Sequence, residues 1–268
     1  MSAQPIPSWT EVGAASDPGR PVLVFLHGIG GGKQGFAAQL NYFVAQGYRA
    51  LAWDMPGYGD SALIEPYDFD GLAQALLRLL DQAQVAQAVL IGHSMGGMVA
   101  QQAWTLCPER IAGLVIAASS PAFGHASGDF QTQFVAQRLA PLDAGQTMGD
   151  VADALIPTML TPGYLGAGRA LAHRCMAAVP PATYRAALQA LVRFEQRAAL
   201  STITVPTLCL AAEHDKTAPP EVLRRMAEKI PGAQFALLPD ASHLLCFEQP
   251  EAFNTVIHSF LSKAFAPS

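Results

Sequence analysis

The sequence predicts an α/β fold built on a doubly wound, mostly parallel sheet. Two patterns carry this expectation. Six short apolar runs lack the period-two alternation of a half-exposed strand, as strands buried on both faces do. Runs with apolar residues at three- and four-residue spacing fall between most of them, the order that builds parallel sheets with helices on both faces. The chain has 268 residues, 51% hydrophobic and 14% charged, which is enough apolar material for a large single core.

The elements follow in chain order. Pro21–His27 (PVLVFLH) is the first strand-like run, and Phe36–Ala45 reads as a helix after it. Arg49–Asp54 and the helix Phe69–Ala83 come next, then Ala88–His93 and the helix Met95–Leu106. Gly113–Ser119 is the fourth strand. Pro206–Glu213 with the helix Glu221–Lys229, and Gln234–Pro239 with the helix Glu251–Lys263, complete the pattern. The alternation breaks once, between about Ser120 and Ser201. There four helices are expected, over Gln131–Leu139, Thr147–Met159, Gly168–Ala178 and Pro181–Arg197, and no strand. A helical insertion at that point is expected to lie as a lid over the carboxyl edge of the sheet, where open α/β folds bind ligands.

Composition excludes several partners. The net charge is −5 and no basic stripe stands out, so nucleic acid is not an expected partner. The cleanest apolar stretches, such as Ile111–Ala118, are far shorter than the roughly 20 residues a spanning helix needs, so no membrane partner is expected. The first ten residues hold Pro5 and Pro7 but neither a basic nor an apolar leader segment, which reads as a cytoplasmic protein. Cys107, Cys175, Cys209 and Cys246 are not in Cys-x-x-Cys spacing and read as small buried hydrophobes. No His, Cys or carboxylate cluster has metal-ligand spacing, and no cofactor or metal is expected.

The chemistry concentrates in a few places. Gly92-His93-Ser94-Met95-Gly96 sits where a strand meets a helix. Gly-x-Ser-x-Gly alone arises by chance in roughly one chain in ten of this length. At a strand-to-helix turn it instead presents a serine from a strained backbone that needs glycine on both flanks. A serine hydroxyl needs a base. Of seven histidines, His27 and His93 lie in turn motifs, His125 and His173 in the insertion, and His258 on a late helix. His243, in Asp240-Ala241-Ser242-His243 after the last strand, falls at the same sheet edge as Ser94 and is the candidate base. The orienting acid is expected between them in chain order. Asp215 follows a strand in an edge loop, with Glu213 as the competitor; Ser119–Ser127 offers no carboxylate. The backbone N–H of Met95 is one candidate donor to a developing oxyanion. A second is expected from the glycine-rich loop His27–Gly32, which is not a phosphate loop because Gln34 follows Lys33.

His27-Gly28, Asp54-Met55-Pro56-Gly57-Tyr58-Gly59-Asp60-Ser61, Gly92-His93-Ser94-Met95-Gly96-Gly97, Asp215 and His243 together resemble the α/β-hydrolase family in its lidded form. That resemblance implies an α/β-hydrolase sheet with a helical lid after the sixth family strand. The core would be residues 1–119 and 201–268, and the lid residues 120–200. It also implies Ile29 as the second oxyanion donor, and a structural role for the Asp54–Ser61 segment. With so few residues before Pro21, the family's leading hairpin is expected to be short or reduced. Gly96–Gln101, Pro108–Ile111 and Ser242–Leu244 resemble 3-oxoadipate enol-lactonases and small carboxylesterases. Ser94 stands where dehalogenases and epoxide hydrolases of the family carry Asp.

The resemblance implies a serine hydrolase of a small carboxylic ester or lactone, working through an acyl-enzyme with Ser94, His243 and Asp215. Carbon–carbon or amide hydrolysis by the same triad remains open, as does a non-catalytic ligand-binding member of the fold. Phe123, Phe134, Tyr164 and Leu244 are candidate substrate contacts, with Phe130, Met159 and Leu165 as further apolar candidates. Arg138, Arg169, Arg174, Arg185, Arg193 and Arg197 are candidates for binding a substrate carboxylate.

Overall fold

A computed structural model describes residues 4–13, 20–124 and 129–266. Seven strands form one sheet: β1 (Trp9–Val12), β2 (Val22–Leu26), β3 (Ala50–Trp53), β4 (Ala88–His93), β5 (Ile111–Ala117), β6 (Thr207–Ala212) and β7 (Gln234–Leu238). Their order is β1-β3-β2-β4-β5-β6-β7; β1 runs antiparallel to β3 and every other pair is parallel. The expected doubly wound sheet is thus present, and among the described residues β1 is all that stands for a leading hairpin.

The helices α1 (Ala37–Ala45), α2 (Phe69–Gln82) and α3 (Met95–Leu106) alternate with the first strands. After β5 come α4 (Phe130–Asp143), α5 (Met148–Leu155), α6 (Ala167–Ala177) and α7 (Pro181–Leu191). α8 (Pro220–Lys229), α9 (Leu245–Glu248) and α10 (Pro250–Ala264) complete the chain.

The missing period-two signal has a direct cause. Leu23, Phe25, Val89, Ile91 and Val115 face a core shared with α1 and α10. Their neighbours Val22, Val24, Leu26, Leu90 and Leu114 face a second core shared with α2, α3 and α8. Both faces are apolar, so the strands read as continuous hydrophobic runs. β7 is the exception: it is an edge strand, and Leu237 on it is exposed.

Several boundaries depart from the sequence reading, two of them where the chain leaves and rejoins the sheet. β5 stops at Ala117 because Ala118 takes a left-handed φ of 45°, which turns the chain out of the sheet. The last helix of the insertion stops at Leu191, and the chain turns back so that Glu195 bridges Ala122 in antiparallel sense. Phe123 N–H to the Phe194 carbonyl (3.1 Å) and Gln196 N–H to the Pro121 carbonyl (2.7 Å) complete this closure. The helical segment therefore leaves and rejoins the sheet at one place.

Parallel register brings the carboxyl ends together. Leu26 pairs with Gly92, His93 with Ala117, and Ala212 with Leu238. The loops after β2, β4, β6 and β7 consequently open on one edge. Among the described residues no helix is long and apolar enough to cross a membrane. Cys175, Cys209 and Cys246 are buried as expected, whereas Cys107 is half-buried, with its thiol donating to Glu109 at 2.8 Å.

Candidate active site

Ser94 forms the turn between β4 and α3 with φ 53° and ψ −120°, a conformation L residues rarely hold. The turn is over-determined by its surroundings. A Cβ on Gly92 would lie 2.4 Å from the Gly96 carbonyl oxygen, and one on Gly96 would lie 2.0 Å from that of Leu26. Ser94 N–H donates to the Ala117 carbonyl (2.9 Å), and the Ser119 hydroxyl donates to the Ser94 carbonyl (2.7 Å). These bonds hold the serine backbone, leaving its side chain directed at His243.

Ser94 Oγ lies 3.0 Å from His243 Nε2, and His243 Nδ1 lies 2.8 Å from Asp215 Oδ2. The three residues come from three separate loops and meet as the sequence reading expects. Asp215 is wholly enclosed at its side chain, and its second oxygen accepts the N–H groups of Thr217 (2.7 Å) and Ala218 (2.9 Å). A carboxylate so held presents one remaining oxygen to the ring, which fixes the proton on Nδ1 and leaves the Nε2 lone pair facing the serine hydroxyl. Glu213, the competitor, is exposed and accepts the Asp240 N–H at 3.0 Å, and no bond joins it to His243 among the described residues.

The two expected oxyanion donors are backbone N–H groups. Met95 opens α3, whose first N–H groups have no intrahelical acceptor. The Ile29 N–H belongs to the peptide whose carbonyl is that of Gly28. That carbonyl accepts Gly31 N–H (2.9 Å) and His27 Nδ1–H (2.8 Å). In a trans peptide the N–H then points the opposite way. His27 in turn accepts the Met55 N–H at Nε2 (3.0 Å), and the Tyr58 hydroxyl donates to the Ile29 carbonyl (2.8 Å). The Asp54–Ser61 segment is structural: Lys33 reaches Asp54 through its N–H (2.9 Å) and its ammonium (2.8 Å), and the Ser61 hydroxyl donates to the Asp54 carbonyl (2.7 Å). Burial drives the pKa of His27 down to about 4, and burial with the neighbouring His243 does the same to His93.

Ser94 and His243 open into a cavity of about 710 Å³, mostly apolar, lined in part by residues of the 120–200 segment. Of the candidate substrate contacts, Phe123, Phe134 and Leu244 line it, as do Phe130, Met159, Arg138 and Arg197. Tyr164 and Leu165 do not. They occupy the loop before α6, which turns at Gly163 (φ 83°) on the outer surface; the Tyr164 hydroxyl donates to the Phe247 carbonyl (3.2 Å), and Leu165 is 85% exposed. His125 lies outside the described residues. His173 pairs with Asp153 at 3.0 Å on the outer side of the insertion. The sequence reading missed Glu248, which is buried and accepts Ser242 N–H (2.8 Å) and Thr161 N–H (2.7 Å), joining the His243 loop to the insertion. It also missed Tyr184, Leu188 and Met176 on the cavity wall. Among the described residues, Glu213, His214 and Asp240 gather ligand atoms within 4.8 Å of one another at the surface, a cluster invisible in linear spacing.

The chain is similar to several known proteins. The chain is 27% identical over 248 residues to 3-oxoadipate enol-lactonase 2 of Acinetobacter baylyi, covering 91% of this chain and 90% of that protein. It is 31% identical over 261 residues to the pimeloyl-(acyl-carrier protein) methyl ester esterase of Photobacterium profundum, covering 94% and 97%. A thermophilic esterase from Thermogutta terrifontis, solved with malate bound, superposes with a TM-score of 0.85 at 25% identity, covering 98% of this chain and all of that one. The profile of the alpha/beta hydrolase family matches residues 23–256, from within β2 to within α10. With a match of that span over a sheet of this order, the chain belongs to the alpha/beta hydrolase family and is a hydrolytic enzyme.

Proposed function

We propose that the protein hydrolyses a small carboxylic ester or lactone through an acyl-enzyme intermediate. The observation that carries this reading is the unbroken hydrogen-bonded line from Ser94 Oγ through both ring nitrogens of His243 to Asp215, at the floor of an apolar cavity. Ser94 attacks the ester carbonyl while His243 Nε2 takes its proton. Asp215 holds the ring and stabilises the imidazolium that forms. The carbonyl oxygen becomes an oxyanion between the N–H groups of Met95 and Ile29. Collapse expels the alkoxide, which takes the proton from His243; for a lactone the alcohol stays tethered to the acyl group. Water then attacks the acyl-enzyme with His243 again as base. In this reading residues 120–200 act as a lid that excludes water and shapes the acyl pocket. The ester chemistry in the names of the enol-lactonase and methyl ester esterase relatives supports the choice of bond.

The test pairs a fluorophosphonate with a short p-nitrophenyl ester. Wild-type protein is expected to label stoichiometrically at Ser94 and to turn the ester over. Ser94→Ala is expected to lose labelling and on the order of 10⁶ in kcat with an unchanged melting temperature. A Ser94→Ala preparation that keeps a tenth of the wild-type activity overturns the reading.

A further inference from the structure

The cavity beside Ser94 is one-sided in charge. Arg138, Arg197, Lys216, Arg225 and Lys229 line it and, among the described residues, no Asp or Glu does, although the chain carries a net charge of −5. Two of these cations are matched within the protein: Arg197 by Glu195 and Arg225 by Glu221. Lys216 and Lys229 are exposed and sit towards the α8 side of the cavity.

Arg138 differs from all four. It is half-buried on α4, its guanidinium lies over the Phe134 ring at 5.2 Å from the centroid, and among the described residues no carboxylate pairs with it. Across the wall, Tyr184 on α7 is 1% exposed, and among the described residues its hydroxyl has no hydrogen-bond partner. Burial raises the Tyr184 pKa and the Arg138 charge lowers it, so the two groups feel one another. A guanidinium with no carboxylate and a hydroxyl with no partner, on α4 and α7, thus line the same cavity and can donate to a ligand there.

We propose that Arg138 and Tyr184 form a carboxylate subsite, so that the substrate is an ester or lactone carrying a free carboxylate at the far end of its apolar portion. This rests on the ester-hydrolase reading above and names its substrate class. The planar fork of Arg138 matches the two oxygens of a carboxylate, and the Tyr184 hydroxyl supplies a third donor. One fixed positive charge at this point suits a monoanion; a phosphate monoester, with nearly two charges at neutral pH, leaves one uncompensated. Lys216 and Lys229 draw anions towards the entrance without ordering them.

The experiment compares monomethyl esters of four- to eight-carbon α,ω-diacids with the matching neutral ω-carboxamides, by methanol release at neutral pH and low salt. At the best chain length the acid is expected to exceed its amide at least about tenfold in kcat/KM. Arg138→Gln is expected to cost the acid roughly 10–100-fold and bring the acid-to-amide ratio near one, with Arg138→Lys in between. Tyr184→Phe is expected to cost the acid about 3–10-fold, and Arg169→Gln, on the outer face of the insertion, to leave the ratio unchanged. Melting temperatures separate these effects from misfolding. If wild type labels with the fluorophosphonate but prefers no acid at any length, or if Arg138→Gln lowers acid and amide equally, the subsite is overturned and the hydrolase reading stands. If the preference survives Arg138→Gln but vanishes in Lys216→Gln/Lys229→Gln, the anion site is the rim and the proposal is wrong. Failure of both labelling and turnover removes the hydrolase reading itself, and this proposal with it.

Discussion

The His93 ring donates through Nε2 to the carbonyl of His243 at 2.7 Å, tying the residue before Ser94 to a loop 150 positions further along the chain. The serine and the histidine it faces are thereby held by one another's neighbours. His93 must carry a proton on Nε2 to make this bond, and burial with the neighbouring His243 lowers its pKa to about 4, so the ring is the neutral Nε2–H tautomer.

His27 is held neutral in the same way, and its Nε2 accepts the Met55 N–H, so a proton there would set donor against donor. Both groups have folded pKa values of about 4, below the usual 6.5. The unfolded chain therefore takes up their protons first. Stability is fully present above about pH 6.5 and is lost as the pH falls towards 4, by roughly 1–3 kcal/mol for each histidine. Calorimetry from pH 7.5 to 4.5 is expected to show a falling melting temperature, with a shallower fall in His27→Asn and His93→Gln. An unaltered slope in both variants contradicts this account.

Asp215→Asn is expected to lower kcat by about 10⁴, because the amide can present N–H to Nδ1 and favour the wrong tautomer. Glu213→Gln, which changes only an exposed acceptor for the Asp240 N–H, is expected to stay within about threefold. Steady-state kinetics on one ester settles the pair; the reverse ranking transfers the acid role to Glu213.

Glu248→Gln places an amide nitrogen against one of two backbone N–H donors, those of Ser242 and Thr161. The expected cost is roughly 1–3 kcal/mol, seen as a fall of about 2–10 °C in melting temperature. Because Ser242 precedes His243, kcat is expected to fall with it, while KM for a small ester moves little. A variant with wild-type melting and kcat would show that the bridge does not hold the loop.

Chelation by EDTA is expected to leave ester turnover unchanged, since every proposed proton transfer and oxyanion contact comes from a protein group. The exposed trio Glu213, His214 and Asp240 lies at the surface and does not line the cavity. A loss of activity on chelation that a divalent ion restores contradicts that expectation and points to this trio.

The strands, the serine turn and the order Ser94, Asp215, His243 were legible in the sequence because each depends on local chemistry. Apolar runs too short for helices became β2 to β7, and glycine at 92 and 96 marked a turn where any Cβ would strike backbone. Parallel topology then did the long-range work: β2 to β7 all run in one direction, so residues just after these strands share an edge however far apart they lie in sequence. The insertion obeyed no such rule. Its helices were visible as apolar spacing, but which neighbour each face meets depends on helix rotation and docking, which the spacing leaves open. Hence Leu165 turned outward and Tyr164 packed against the core at the Phe247 carbonyl, outside the cavity, while Arg138 and Tyr184, on different helices, came to its lining. Glu248 was hidden for the same reason, since its partners Ser242 and Thr161 are joined to it only when the insertion packs on the β7 loop. Backbone sterics and strand direction thus decided where the candidate site is placed, and side-chain packing between separately formed helices decided what surrounds it.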